Sequence, residues 1–295
     1  MPDNSQPAYK VGGWLPISVL PLTAVACRNL LLPWVFMWIL SLAIYLSLKW
    51  LTWWRARSRI AHVAWRSVAY LLAWPGMNAD AFLDAKLHVS PPGVRAWLWA
   101  TFETILGAIL FWVVARSLPP GQPLLRGWAG MVGLILLLHF GGFQIVALLW
   151  QSLGVRAEPI MSAPLRSTSL AEFWGKRWNL GFRQLGHELI FRPLYRRLGA
   201  GAAGFFVFVV SGLIHDLVIS LPARGGYGLP TLYFLLQGAG VAVERSRFGQ
   251  RLGLAHGPRG WCFMMVFLAV PVLGLFHPWF VLRVILPFMR AIHAL

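Results

Sequence analysis

Long runs of apolar, uncharged residues limit how this chain can fold more than any other feature. About 20 such residues at 1.5 Å each cross the hydrocarbon core of a bilayer. The chain is 58% hydrophobic and 12% charged, whereas soluble domains carry about a quarter charged residues. The sequence therefore predicts an all-α, polytopic transmembrane helical bundle. Six runs are the predicted spans: residues 29–48, 96–115, 127–155, 198–223, 225–243 and 260–282.

Three weaker stretches raise the expected number of membrane segments to about seven to nine. Residues 11–27 are apolar but carry two prolines, residues 67–79 have the length of a re-entrant or interfacial segment, and the tail 284–295 is interrupted by Pro287. Because neither an internal repeat nor a low-complexity linker appears, we expect one membrane-embedded domain over residues 1–295. The compact length and the absence of organelle signals favour a bacterial inner membrane.

The basic residues are distributed unevenly between the loops. The chain has 26 Lys and Arg against 9 Asp and Glu. If the six spans alternate, residues 49–95, 156–197 and 244–259 share one side and hold 19 of these bases, against three on the other side. The positive-inside rule makes the basic side cytoplasmic. The bases are then expected to meet membrane lipid headgroups or a polyanionic substrate, and not nucleic acid.

The cytoplasmic loop 156–197 is predicted to be amphipathic. Ser169 followed by Glu172 has the spacing of a capping box that begins a helix. Phe173, Trp174 and Trp178 then fall near one face of that helix. The simplest interpretation is a helix lying at the membrane surface, with its aromatic side chains forming an interfacial belt.

Two adjacent ionisable residues, His215 and Asp216, lie inside the predicted span 198–223. Such residues are costly in hydrocarbon and must face a cavity or partners, which indicates either function or hydrogen bonding between helices. Glu103 and His139 lie in other spans but are more isolated, which favours structural roles. Neither a zinc-protease helix nor a phosphate loop nor a paired-cysteine site appears, so we expect no metal and no permanently bound cofactor.

Two motifs resemble those of the membrane-bound O-acyltransferases, and within them the wax-synthase-like branch. Residues 173–179 read Phe-Trp-Gly-Lys-Arg-Trp-Asn, and residues 211–216 read Ser-Gly-Leu-Ile-His-Asp. The family shows an aromatic motif ending in Trp-Asn and then a membrane histidine; here the separation is 215 − 179 = 36 residues. Residues 70–77 also resemble this branch. One position departs from the family pattern: Asp216 stands where the family more often has Glu.

The resemblance implies transfer of a fatty acyl group from acyl-CoA to the hydroxyl of a lipophilic acceptor, with a long-chain alcohol favoured. His215 would be the general base, since a neutral imidazole can take the hydroxyl proton. Asn179 would orient the substrate or donate to the developing oxyanion. Trp178 and Asp216 would support these two residues. Acyl-CoA phosphates would be bound by some of the cytoplasmic bases, for which the candidates are Lys176, Arg177, Arg183 and Arg192.

Other functions remain open at the level of sequence. The acceptor could be a sterol, a diglyceride, a glycoside or a polysaccharide hydroxyl. A membrane transporter could use His215, Asp216, Glu103 and His139 as a polar pathway, although internal repeats of the kind many transporters show are missing. A non-catalytic membrane scaffold is a third class.

Overall fold

The computed structural model describes residues 6–60, 63–87 and 89–295, with side chains from residue 11 onward. Every regular element in this part of the chain is helical, which confirms the predicted all-α class. The helices are α1 Gln6–Ala26, α2 Pro33–Ala56, α3 Ala64–Ala73, α4 Ala79–Leu83, α5 Val94–Ser117, α6 Pro123–Ser152, α7 170–177, α8 Leu180–Ala223, α9 Leu229–Arg245, α10 Arg247–Arg251, α11 Gly257–Leu275 and α12 278–291.

Five helices in the described residues are long and apolar enough to cross a membrane: α2, α5, α6, α8 and α11. They cover five of the six predicted spans, and the sixth corresponds to α9, a helix of 17 residues. Helix α1 contains Pro16 and Pro21 and covers most of the weaker stretch 11–27. The expected interruption at Pro287 was wrong. Pro287 stands in the first turn of a helical segment, where its missing backbone N–H is not needed, so α12 continues past it.

Contacts between backbone atoms divide the chain into two compact units, and the single domain expected over residues 1–295 stays a prediction. The first comprises Met1–Gly107 and Ile135–Pro159. Its core contains Tyr70, Trp74 and Phe82. Lys49 was counted among the loop bases, and this was wrong: it lies inside α2 with no exposed surface, donates to the Gly76 carbonyl and places its Nζ 3.4 Å from the Tyr70 ring centroid.

The stretch predicted to be re-entrant or interfacial, residues 67–79, belongs to this first unit. It comprises most of the ten-residue helix α3, an extended segment and the start of α4. A helix of ten residues spans about 15 Å, so it is too short to cross a bilayer. Trp74 and Met77 are buried in the extended part.

The second unit comprises Ala108–Leu134 and Ile160–Leu295 and is organised around α8. Helix α8 is interrupted at Gly199, whose φ of 74° lies in the left-handed region that glycine tolerates. Beyond this break α8 packs along α9. A Cβ on Gly212 would lie 2.8 Å from the Thr231 Cα, so the two helices approach as closely as small residues permit.

The C-terminal end of α8 is held by side chains from later in the chain. The Arg283 guanidinium donates to the carbonyls of Ala223 and Arg224 at 3.1 and 3.0 Å, which are carbonyls that a helix end leaves without partners. Ser220 donates to the Gly226 carbonyl and lies 3.2 Å from His277 Nε2. These bonds fix the part of α8 that carries His215.

Candidate active site

The Trp178–Asn179 motif follows directly on α7, whose start matches the predicted capping box. The Ser169 hydroxyl accepts from the Glu172 N–H at 3.0 Å. The Glu172 carboxylate accepts from the Thr168 N–H at 2.9 Å and pairs with Arg177 at 2.7 Å. The Thr168 N–H first, and then Arg177, hold the pKa of Glu172 below its usual range. Glu172 thereby links Thr168, before the start of α7, to Arg177, the residue that precedes Trp178.

The aromatic face of α7 packs partly against protein. Leu170 and Phe173 are buried and pack against Met264 of α11, with Trp174 and Trp178 beside them. Phe173 is therefore covered by protein, whereas Trp174 and Trp178 are half-buried, and their location at the membrane surface stays a prediction. Helical periodicity marks an apolar face but does not say whether lipid or protein covers it.

Trp178 contributes through ring packing. Its ring stacks on Phe173 at 5.3 Å between centroids and meets Trp174 edge-on at 6.4 Å. The backbone N–H of Trp178 donates to the Phe173 carbonyl and ends the helix. Trp178 thus fixes the turn from which the Asn179 side chain projects.

Asn179 has a left-handed backbone, with φ 43° and ψ 60°, and stands at the N-terminus of α8. This conformation is more accessible to asparagine than to most residues. Its Oδ1 accepts from the Phe182 N–H at 3.5 Å, and its own N–H donates to Met161 Sδ at 3.3 Å. The amide oxygen faces the start of α8 because the Phe182 N–H donates to it. The Nδ2 group therefore points away from that N–H, and it makes no hydrogen bond in the described part of the chain.

The geometry of His215 defines which ring nitrogen can act as a base. Nδ1 lies 2.7 Å from the carbonyl of Ser211, one helical turn earlier. A carbonyl only accepts, so a neutral imidazole carries its proton on Nδ1 and its lone pair on Nε2. Within the residues described, Nε2 makes no hydrogen bond. The ring is also held against Phe234, with centroids 4.4 Å apart.

Aromatic rings connect the two motifs across 36 residues of sequence. Trp174 contacts both Trp178 and Phe234, at 6.4 and 5.6 Å, and Phe234 contacts His215. The Trp174 indole N–H also donates to the buried amide of Gln237 at 3.3 Å. The turn that carries Asn179 and the helix that carries His215 are therefore packed through shared neighbours on α9, a helix that the motif alone did not implicate.

Asp216 does not orient His215 by a hydrogen bond in the described residues. Its carboxylate accepts from the Gly228 N–H at 3.0 Å and from the N–H and hydroxyl of Thr231. These groups form the N-terminus of α9, where a negative charge is favoured. Asp216 joins α8 to α9, and the orienting contact expected from it comes from the Ser211 carbonyl instead.

The four bases suggested for acyl-CoA binding differ in availability. Lys176, Arg183 and Arg192 are exposed. Arg177 is engaged, since it pairs with Glu172 and also donates to the Ser162 carbonyl at 3.3 Å. Its guanidinium is part of the turn before Asn179, which leaves the three exposed bases as the candidates.

Two polar residues that hold this arrangement were missed by sequence reasoning. Gln237 is fully buried and donates to the Phe267 carbonyl at 2.6 Å, while receiving the Trp174 indole. Glu244 is buried and accepts from the Leu170 N–H at 2.6 Å. A lone amide inside the apolar run 225–243, followed by a carboxylate at its end, was the available signal. Within the described residues, no group of three potential metal-binding side chains occurs.

Comparison with known protein families gives a match to the segment that contains this site. Residues 157–236 match the sequence profile of the membrane bound O-acyl transferase family. The segment includes the aromatic motif, Asn179 and His215, so the match falls on the residues that the structure packs together.

Several similar proteins carry acyltransferase names. The chain is 35% identical over 147 residues to "Probable long-chain-alcohol O-fatty-acyltransferase 9" of Arabidopsis thaliana, which covers 45% of this chain and 43% of that protein. It is 31% identical over 102 residues to "Long-chain-alcohol O-fatty-acyltransferase" of Simmondsia chinensis, covering 32% and 29%. It is 34% identical over 95 residues to "Acyl-CoA--sterol O-acyltransferase 1" of Arabidopsis thaliana, covering 30% and 28%.

In each of these matches the chain spans less than half the length of the relative. The matched segment, the site within it and the helices that surround it agree with the resemblance seen in the sequence. The chain is a multi-pass integral membrane protein whose residues 157–236 match the membrane bound O-acyl transferase family.

Proposed function

We propose that this chain transfers a fatty acyl group from acyl-CoA to the hydroxyl of a lipophilic acceptor, with a long-chain alcohol as the preferred acceptor. The observation that carries the proposal is the bond from His215 Nδ1 to the Ser211 carbonyl. It leaves the Nε2 lone pair as the basic site of a neutral imidazole. The names of the similar proteins support fatty acyl transfer and favour a long-chain alcohol.

The chemistry follows from these groups. His215 Nε2 takes the proton of the acceptor hydroxyl as its oxygen attacks the thioester carbonyl. The Asn179 amide N–H donates to the carbonyl oxygen as negative charge develops there. The carbon–sulfur bond then breaks, and the CoA thiolate leaves and takes the proton from the imidazolium. The products are an ester and free CoA, and His215 returns to its neutral form.

The acyl donor brings phosphates, which suit the exposed bases near the Asn179 turn. Lys176, Arg183 and Arg192 are our candidates for contacts with acyl-CoA. Arg177 is assigned instead to fixing the turn, because Glu172 occupies its guanidinium. We expect acyl-CoA to act as a substrate that dissociates after each turnover.

The test is ester formation by the purified protein with labelled acyl-CoA. His215→Ala is expected to lower turnover by at least about 100-fold, the usual contribution of a general base. His187→Ala is the matched control, since His187 is exposed and outside the proposed chemistry; it should keep wild-type turnover. Thermal denaturation of both variants separates loss of chemistry from loss of folding. Full turnover by a folded His215→Ala variant would refute the role.

The identity of the acceptor is tested in the same assay. A panel of a long-chain alcohol, a sterol, a diglyceride and a sugar hydroxyl is supplied with one acyl-CoA. We expect the long-chain alcohol to give the highest kcat/KM. The sterol is the principal alternative because one similar protein is named a sterol acyltransferase. Absence of labelled ester with every acceptor would contradict the proposed acyl transfer.

A further inference from the structure

A pocket lies where α9 ends, within the second unit. Its volume is about 310 Å³, at the lower end of the range for small-molecule sites. None of the residues assigned above to acyl transfer lines it. The lining residues are Glu244, Arg245, Gln250, Gly253, Ala255 and His256.

The acidic residue of this pocket, Glu244, already makes hydrogen bonds within the protein. The Glu244 carboxylate accepts from the N–H groups of Leu170 and Ala171 at 2.6 and 3.4 Å, and its residue is only 2% exposed. The carboxylate therefore faces the start of α7, where helix N–H groups favour a negative charge. Arg245 also interacts electrostatically with it. The remaining ionisable groups of the lining, Arg245 and His256, are both exposed and can donate hydrogen bonds.

The surrounding segment is strongly basic. Residues 244–259 hold four arginines and a single acid, Glu244. Positive-inside topology accounts for the arginines but does not require a cavity among them. A cation is disfavoured because the one carboxylate is occupied, and no group of three metal-binding side chains occurs in the described residues.

We propose that this pocket binds a phosphate group, with the Arg245 guanidinium as its main charged contact and His256 as a second donor. Guanidinium matches phosphate oxygens in both charge and geometry. The phosphate can come from the nucleotide part of a molecule such as CoA or from an anionic lipid headgroup. The inference does not depend on acyl transfer, because binding is measured without turnover.

The experiment is calorimetric titration of the purified protein in neutral detergent. Free CoA is one ligand, and short-chain phosphatidic acid, below its micelle concentration, is the other. Arg245→Gln is expected to weaken binding of at least one of them about tenfold, as loss of a charge-assisted hydrogen bond does. Arg245→Lys keeps the charge and should lose less. An effect on CoA alone identifies a nucleotide site, and an effect on the lipid alone identifies a headgroup site.

Arg251→Gln is the matched control. Arg251 is exposed, belongs to the same basic segment and does not line the pocket. Arg251→Gln therefore removes the same single positive charge as Arg245→Gln without removing a pocket residue. We expect this variant to stay within about twofold of wild type, as a rim charge screened by salt does. Equal weakening by Arg245→Gln and Arg251→Gln would show only general attraction of anions and would overturn the proposal. Failure of the wild-type protein to bind either ligand would do the same.

Discussion

At the scale of single residues, the two proposed active-site groups are oriented by backbone atoms. The Ser211 carbonyl fixes the proton of His215 on Nδ1. The Phe182 N–H fixes the oxygen of the Asn179 amide and so directs its Nδ2 away from the helix. His215 can therefore offer a lone pair to the acceptor hydroxyl, and Asn179 can offer N–H donors to the thioester oxygen. A hydroxyl that attacks a thioester requires this combination.

The role of Asn179 can be tested by a substitution that separates its two polar ends. Asn179→Asp keeps an oxygen that can accept from the Phe182 N–H, and aspartate caps helices as well as asparagine does. It removes both N–H donors. We expect turnover to fall by about 100-fold or more, with the thermal midpoint close to wild type. The measurement is kcat in the labelled acyl-CoA assay.

Asn179→Gly serves as the control for backbone strain. Glycine accepts the positive φ of this position without cost but supplies neither the cap nor the donor. Both variants should lose turnover, whereas the glycine variant alone should also lose about 1 kcal/mol or less of stability. If Asn179→Asp turned over at the wild-type rate, donation to the oxyanion would be excluded and the residue would serve only as a cap.

At the scale of elements, the sequence predicted what depends on local pattern. The positions of the spanning helices follow from runs of apolar residues, and the start of α7 follows from the Ser169 and Glu172 spacing. Features that depend on partners distant in sequence were not predictable. Burial of Lys49 requires the Gly76 carbonyl, and burial of Phe173 requires Met264. Asp216 was adjacent to His215 in sequence, yet its partners are Gly228 and Thr231.

The close approach of α8 and α9 is testable through one methyl group. In Gly212→Ala the added Cβ meets the Thr231 Cα, and backbone cannot move aside as a flexible side chain can. We expect a loss of about 1–3 kcal/mol of stability and lower turnover, because Thr231 also binds Asp216. Thermal denaturation in detergent and the ester assay measure the two effects.

Gly201→Ala is the matched control within the same helix. A Cβ on Gly201 would meet nothing within 4 Å. Alanine is the better helix former by up to about 1 kcal/mol, so this variant should be neutral or slightly more stable. Equal thermal midpoints for the two alanine variants would contradict the packing of α8 against α9.

At the scale of the whole molecule, the arginines differ in how far the fold already engages them. Two of the three on the predicted non-cytoplasmic side bind main-chain carbonyls: Arg126 donates to the Ala115 carbonyl at 3.1 Å, and Arg116 donates to that of His293. On the predicted cytoplasmic side, Arg66 also binds carbonyls, and Arg177 pairs with Glu172. The exposed arginines of the segment 244–259 can bind phosphates, either of lipid headgroups or of a bound ligand.

The membrane topology of the chain can be tested at the two ends of α9. In a variant with Cys27 and Cys262 replaced by serine, a single cysteine is placed at Tyr227 or at Leu252, which are both exposed and flank the helix. The positive-inside rule predicts that Tyr227→Cys reacts with a membrane-impermeant maleimide in intact cells. Leu252→Cys should react only after the membrane is opened, because it lies in the basic segment. Labelling of both from outside would show that α9 does not cross, and the reverse pattern would place the proposed phosphate pocket on the opposite face.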